Sequence, residues 1–301
     1  MRDGEIKNRS RHEPESMAGG VHAAMGSALY FSWEVGSRFP GGSHRLLACA
    51  WRNLHHTSMR IVTWNLQHGG GKRIGGIVEV LRSYAADVLV LSEFRNNPYG
   101  EILRGELDSM GYRFQASPPA EARTNTVLIA AHEPFEAVTF PGQMSDPELG
   151  DFATSVLLAR FPDLNVFGLY LPGEERKRPV FDFLLSLPAA YLQSDSLLIG
   201  DFNTGQHHLD EAGATFASAR QFEELLTHGW IDAWRSRNPD AREFTWLSPG
   251  YKNGFRLDHA FVSQSLDGRV TEVRYSHHER EQKITDHSVM LMKLKSASPS
   301  P

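Results

Sequence analysis

The sequence predicts an α/β fold, and three observations carry that prediction. From Met59 onward, apolar runs of strand length alternate with segments whose apolar residues recur at helical spacing. The strand-like runs end repeatedly in Asn, Glu, Tyr, Asp or His, and open α/β sheets gather ligands outside their strand ends. The composition is that of an ordinary globular chain: 301 residues, 41% hydrophobic and 22% charged. This length suffices for one large α/β domain or two small ones.

The elements follow in order. "RIVTWNL" reads as a strand, residues 75–85 as a helix and "DVLVLSEF" as a buried strand. In "YGEILRGELDSMGY", Ile102, Leu103, Leu107 and Met110 mark a helix that Gly111 stops. "TNTVLIAA", "FATSVLLARF" and "LNVFGLYLP" read as strands, and "PVFDFLLSLPAAYL" as a helix. "SLLIGDFN" is a strand and "ARQFEELLTHGW" a helix; "FRLDHAFVS", "RVTEVRYSHH" and "HSVMLMKLK" close the chain as strands.

Residues 1–58 differ from the rest. They are polar, of mixed charge and without a period, and they are expected to form a poorly ordered extension. A start at Met59 would suit a domain whose first element is a strand. The expected domain spans residues 59–295, followed by a Ser/Pro tail at 296–301. The extension holds seven basic and five acidic residues; the remainder holds 24 basic and 31 acidic, a net charge of −7. That balance argues against a protein that coats nucleic acid nonspecifically, and leaves room for an acidic site filled by divalent cations. No apolar run approaches the ~20 residues of a membrane span. The lone Cys49 precludes an intrachain disulfide and fits a reducing compartment. A cytoplasmic monomer without membrane contact is the expectation.

"LLIGDFNTG" poses the functional question. Side chains at i and i+2 of an extended chain point the same way, so Asp201 and Asn203 share a face while Phe202 anchors the other. Taken alone, such a pair is a turn after a strand. Similar polar residues stand at other strand ends: Asn65, Glu93, Tyr170, Asp258, and Asp286 with His287. Together they look like one site assembled from the whole chain. The pairs at 55–56, 207–208 and 277–278 lack zinc-ligand spacing and read as surface or loop histidines. "HGGGKRIGG" lacks a Walker frame and reads as a loop, with Lys72 and Arg73 facing a polyanion.

In order, "TWN", "LSEF", "LYLP", "GDFN", "RLDHAFVS" and "TDHS" resemble the endonuclease/exonuclease/phosphatase superfamily, and within it the branch of exonuclease III and the abasic-site endonucleases. The resemblance implies a four-layered α/β sandwich of deoxyribonuclease I type, with two mostly antiparallel sheets flanked by helices. It implies phosphodiester hydrolysis with Mg²⁺ or Mn²⁺, and DNA, including abasic duplex, as substrate. Glu93 would hold the metal, with Asn65 beside it and Asp286 at its edge. Asp201 would deprotonate the attacking water, and Asn203 would fix Asp201 and the phosphate. His287 would contact a phosphate oxygen, oriented by Asp258, and Tyr170 would touch the phosphate or leaving oxygen. Substrate-binding candidates are Arg256, Trp246, Phe255 and Arg178; Trp246 and Phe255, with Leu257, fall where the family builds a pocket for a sugar lacking its base.

The chemistry stands on its own grounds. A phosphodiester anion repels hydroxide, so hydrolysis needs a cation, a base for water and donors for the developing charge. Departures from the family pattern bear on substrate. The loop after Tyr170 carries Gly173 and a basic cluster, Arg176 to Arg178, in place of an Asn that grips phosphate, and Arg95 stands near Glu93 where Lys is usual. The alternatives are a phosphodiesterase or phosphatase for a smaller ester, and an inactive binding module on the same scaffold.

Overall fold

The structure is a computed structural model and describes residues 58–250 and 253–297. The expected extension before Ser58, Cys49, the first histidine pair and the end of the Ser/Pro tail lie outside the described residues.

Along the chain come β1 (Ser58–Asn65), the helix Ile74–Tyr84, β2 (Val88–Phe94), the helix Pro98–Ser109, β3 (Phe114–Ala116), β4 (Thr126–Ala131) and β5 (Glu136–Val138). A small hairpin, β6 (Ser145–Asp146) and β7 (Gly150–Asp151), precedes β8 (Val156–Phe161) and β9 (Leu164–Tyr170). The helix Arg178–Leu185 leads to β10 (Ser196–Asp201), the helix Ala219–Thr227 and β11 (Ile231–Asp232). A second hairpin, β12 (Trp246–Leu247) and β13 (Gly254–Phe255), is followed by β14 (Asp258–Val262), β15 (Val270–Ser276) and β16 (Val289–Lys295).

The strands form two six-stranded sheets, ordered β15-β16-β1-β2-β4-β3 and β11-β14-β10-β9-β8-β5. Each is antiparallel except for one parallel pair in its middle: β1 with β2, and β9 with β10. The sheets pack face to face. Ile61, Val90 and Ile129 of the first meet Leu157, Val166, Leu197 and Ala260 of the second in a common core. Gly168 permits this approach, because a Cβ there would sit 3.0 Å from Ile129 and Val90. The outer faces bury against helices. Leu89, Leu91 and Leu128 pack on Ile77, Leu81 and Leu103, and Phe167, Leu198 and Phe261 on Phe181, Phe222 and Leu225. The expected four-layered sandwich is therefore the observed one.

Two element readings change. The apolar run 179–192 is one helix by spacing, but Leu187 and Pro188 divide it into Arg178–Leu185 and Ala190–Gln193, since a residue before proline is pushed out of the α region. The "FATS" start of the expected strand is a 3-10 turn over Ala153–Ser155.

Candidate active site

Parallel pairing sets the carboxyl ends of β1 and β2, and of β9 and β10, at one edge of the sandwich. In register, Asn65 stands beside Ser92, Asp201 beside Tyr170, and Asp201 opposite Asp258 of antiparallel β14. Ser92 joins the sheets at this edge. Its Oγ donates to the Leu169 carbonyl at 2.8 Å and accepts from the Asp201 amide at 3.3 Å.

"GDFN" folds as it does because of Gly200. Its φ is +146°, and a Cβ would lie 2.1 Å from the Leu169 carbonyl oxygen, so only glycine fits there. Phe202 is fully buried among Phe181, Phe222 and Phe261, which leaves its neighbours to face the site. The Asp201 carboxylate is also fully buried. It accepts from Asn65 Nδ2 at 2.8 Å, from the Asn203 amide at 2.8 Å and from Asn203 Nδ2 at 3.2 Å. Asn203 Nδ2 also reaches the Leu171 carbonyl at 2.8 Å. Burial pushes the Asp201 carboxyl up to about 7; Asp258 and Glu93 push the same way, and His287 opposes them.

His287 meets Asp258 through Nδ1 and Oδ2 at 2.9 Å, and both are buried. Burial alone would lower the imidazole's pKa. The charge and hydrogen bond of Asp258 overcome it and hold His287 up to about 10, a cation at neutral pH. Trp64 Nε1 fixes the His287 carbonyl at 3.1 Å. Asp258 Oδ1 is buried without a hydrogen-bond partner. One ligand-type atom each of Asp201, Asp258 and His287 lies within 4.8 Å of the others. That spacing suits an ion, but a protonated imidazole offers no lone pair, and Asp201 is already engaged by three N–H donors. With His287 protonated the trio suits proton handling, and its spacing is also compatible with an ion.

Glu93 projects from a bulge in β2 between Ser92 and Phe94, with φ +54°. Its Oε2 accepts from the His68 amide at 2.6 Å, and its Oε1 from Asn65 Nδ2 at 3.3 Å. The residues from Gln67 to Gly71 all have φ between 52° and 75°, and this left-handed turn, which three glycines ease, brings the His68 amide to Glu93. The Asn65 amide is held at both ends: its Oδ1 accepts from the Gln67 amide at 2.7 Å, and its Nδ2 donates to the carboxylates of Glu93 and Asp201.

Tyr170 Oη accepts from Asn125 Nδ2 at 3.1 Å, and Arg95 Nε donates to Asn125 Oδ1 at 2.6 Å. Burial, then the charge of Glu93, raises the Tyr170 phenol far above its usual range. Asp286 Oδ2 accepts from Trp246 Nε1 at 3.2 Å, and Trp246 also makes a backbone bridge with His287. Trp246 and Phe255 pair across the β12–β13 hairpin with ring centroids 5.8 Å apart, both half-buried. Leu257 is buried.

Other candidates fall elsewhere. Arg256 has no exposed surface. Its guanidinium is spent on Asp210 at 2.7 Å and Asp232 at 2.7 Å, so it braces the scaffold and reaches no substrate. Arg178 opens its helix half-exposed and pairs with Asp146 at 3.0 Å, outside the cluster. Arg73 donates to the carbonyls of Ile284, Leu66 and Gln67 and ties loops together. Sequence reasoning missed Ser92 and Asn125. Asn125 stands just before β4, and an antiparallel strand brings its start to the edge where its neighbour ends.

Comparison with known proteins agrees with this geometry. The chain belongs to the endonuclease/exonuclease/phosphatase family, whose sequence model matches residues 62–287. A DNA-(apurinic or apyrimidinic site) endonuclease of Dictyostelium discoideum is 24% identical over 238 residues, covering 71% of this chain and 64% of that protein. The chain thus spans slightly less than two thirds of that relative's length. Among solved structures, a Neisseria protein described as the 3′ phosphatase NExo bound to product DNA hairpin superposes with TM-score 0.67 at 21% identity, over 79% of this chain and all of that one. An AP endonuclease from Archaeoglobus fulgidus superposes with TM-score 0.66 at 18% identity, with the same coverage. At these identities the structural likeness speaks for the fold.

Proposed function

We propose that the protein hydrolyses DNA phosphodiester bonds with the help of a divalent metal, in the manner of exonuclease III and the abasic-site endonucleases. The observation that carries this reading is the meeting of Asp201–Asn203 with Asp258–His287 at one edge of both sheets, with Trp246 and Phe255 beside them.

Glu93 and Asp286 supply hard oxygen donors that fit Mg²⁺ or Mn²⁺, and such an ion would offset the phosphate's negative charge. Asp201 titrates near neutrality, where a base can both hold and release a water's proton. Asn203 keeps Asp201 oriented through two hydrogen bonds. His287, kept charged by Asp258, donates through Nε2 to a phosphate oxygen as charge builds there. The Tyr170 hydroxyl accepts from Asn125, which leaves its own proton for the phosphate or the leaving oxygen. Trp246 and Phe255 offer an apolar wall to an extruded abasic sugar, the cheapest site in a duplex to unstack.

The test is turnover of a labelled abasic duplex with Mg²⁺, with and without chelator, beside a small phosphodiester. Cleavage of the duplex that stops with chelator and returns with Mg²⁺ or Mn²⁺ is expected. Full activity in excess chelator removes the metal. Turnover of the small ester alone transfers the assignment to that substrate class.

A further inference from the structure

Beyond Asn203, the loop between β10 and the helix Ala219–Thr227 contributes nothing to the chemistry above, yet it is built with care. Glu211 is only 2% exposed. Its carboxylate receives the Thr215 amide at 2.7 Å, the Phe216 amide at 3.1 Å, the Thr215 hydroxyl at 2.5 Å and His207 Nδ1 at 2.8 Å. A buried charge with four donors holds this loop in one conformation. The loop is docked on β13 through a backbone bridge between Glu211 and Phe255 and by the Arg256 amide on the Asp210 carbonyl at 2.8 Å.

The outcome is a file of four rings. His207 stacks on Phe216 at 6.2 Å and 21°; Phe216 meets Phe255 at 5.6 Å, and Phe255 meets Trp246 at 5.8 Å. None of the four is buried. The file begins at the reactive cluster, since Trp246 bonds Asp286 and bridges His287, and it runs outward to His207. Half-exposed rings fixed in advance of any partner spare it the entropy of ordering them. Every nucleobase has a π face, and stacking on aromatic side chains is tolerant of sequence.

We propose that Phe216 and His207 form a stacking platform for one nucleobase neighbouring the scissile phosphate. This rests on the DNA reading given above. It extends that reading from the bare sugar at Trp246 and Phe255 to an intact nucleotide beside it.

Two substrates separate the cases: a single abasic unit flanked by ordinary nucleotides, and an oligomer made wholly of abasic units, which has the phosphates and sugars but no bases. In the full-length protein with Mg²⁺, Phe216→Leu keeps apolar volume and removes the π face. It is expected to raise KM about tenfold on the base-bearing substrate, one stacked base being worth that much. Its kcat, its melting temperature and its KM on the base-free oligomer should match the wild type. His207→Asn, which keeps a side-chain N–H for Glu211 and removes the ring, should act the same way and serves if Phe216→Leu does not fold. An equal rise in KM on both substrates, or no rise on either, overturns the platform while the nuclease reading stands. A wild-type protein that cleaves neither substrate overturns both.

Discussion

Two groups of buried charges flank the short segment Arg256–Leu257–Asp258, and they are arranged in opposite senses. On one side Arg256 lies between Asp210 and Asp232, Arg235 adds a 2.6 Å contact to Asp210, and His259 approaches Asp232 at 3.5 Å. Each carboxylate there faces a cation. On the other side the buried Asp201 and Asp258 share one imidazolium, His287. Burial opposes ionisation of both Asp232 and Asp201. Arg256 and His259 overcome it and hold Asp232 far below the usual carboxylate range, whereas Asp201 is raised to about 7. The same residue type, equally buried, becomes a fixed anion in one place and a titrating base in the other. Partner charge decides which.

The comparison breaks most visibly at Arg256. Arg256→Met leaves buried Asp232 with only His259 and Asp210 with only Arg235 as ion-pair partners, and should destabilise the fold by about 3–5 kcal/mol. The melting temperature would fall by on the order of 10 °C. A thermal melt that leaves it unchanged would show the network to be dispensable.

Asp201→Asn should do the reverse. We expect kcat to fall at least ~10²-fold, as loss of a general base requires, while the melting temperature at neutral pH holds or rises. A folded-state pKa of about 7 lies above the ordinary carboxylate value of about 3.9. The folded state therefore binds the proton more tightly, and stability declines as pH rises between those values. The amide removes that decline. A variant that melts much earlier than the wild type would mean that Asp201 holds the fold together.

The third contrast is in pH. Asp232 has a depressed folded-state pKa, so its contribution is complete above about 4 and is lost as pH falls toward the folded value. Asp232→Asn should flatten the acid side of a plot of melting temperature against pH. The rate should instead rise with pH through about 7 as Asp201 ionises, and fall through about 10 as His287 loses its proton. Asp258→Asn should draw the alkaline limb downward in pH. A limb that stays in place would separate Asp258 from the His287 charge.

The smallest effect is at the junction of the two groups. Tyr275 Oη donates to the Asp258 carbonyl at 2.8 Å. Tyr275→Phe should cost about 1 kcal/mol in stability and change kcat less than twofold. A large drop in rate would reveal that Asp258 depends on this contact for its place.

The regularities behind the sequence reading are local ones. Alternation of side chains put Asp201 and Asn203 on one face. The ends of β1, β2, β9, β10 and β14 carried Asn65, Glu93, Tyr170, Asp201 and Asp258 to one edge because those pairings are parallel, or antiparallel in matching register. What was hidden depends on distant partners. Arg256 reads as an available cation until Asp210 and Asp232, 46 and 24 residues earlier, close on it. Asn125 and Ser92 look like ordinary residues of a strand start and a strand interior, and they gain their place only from Tyr170 and Leu169 in the other sheet. The direction of Asn65's amide depends on Gln67, whose left-handed backbone follows from a turn that spacing does not reveal.

The pairing of β1 with β16 has a consequence for how such a chain comes into being. Ser58 lies opposite Lys295 and Thr63 opposite Met290, so one edge of the first strand stays open until nearly 230 further residues have been made. A nascent chain that has released β1, β2 and β4 from the ribosome still exposes a row of unpaired amides and carbonyls along β1, and such an edge invites pairing with other chains. Asp286 and His287 emerge just ahead of the strand that covers it. The proposed catalytic edge and a closed first sheet would therefore arrive together, as β16 emerges.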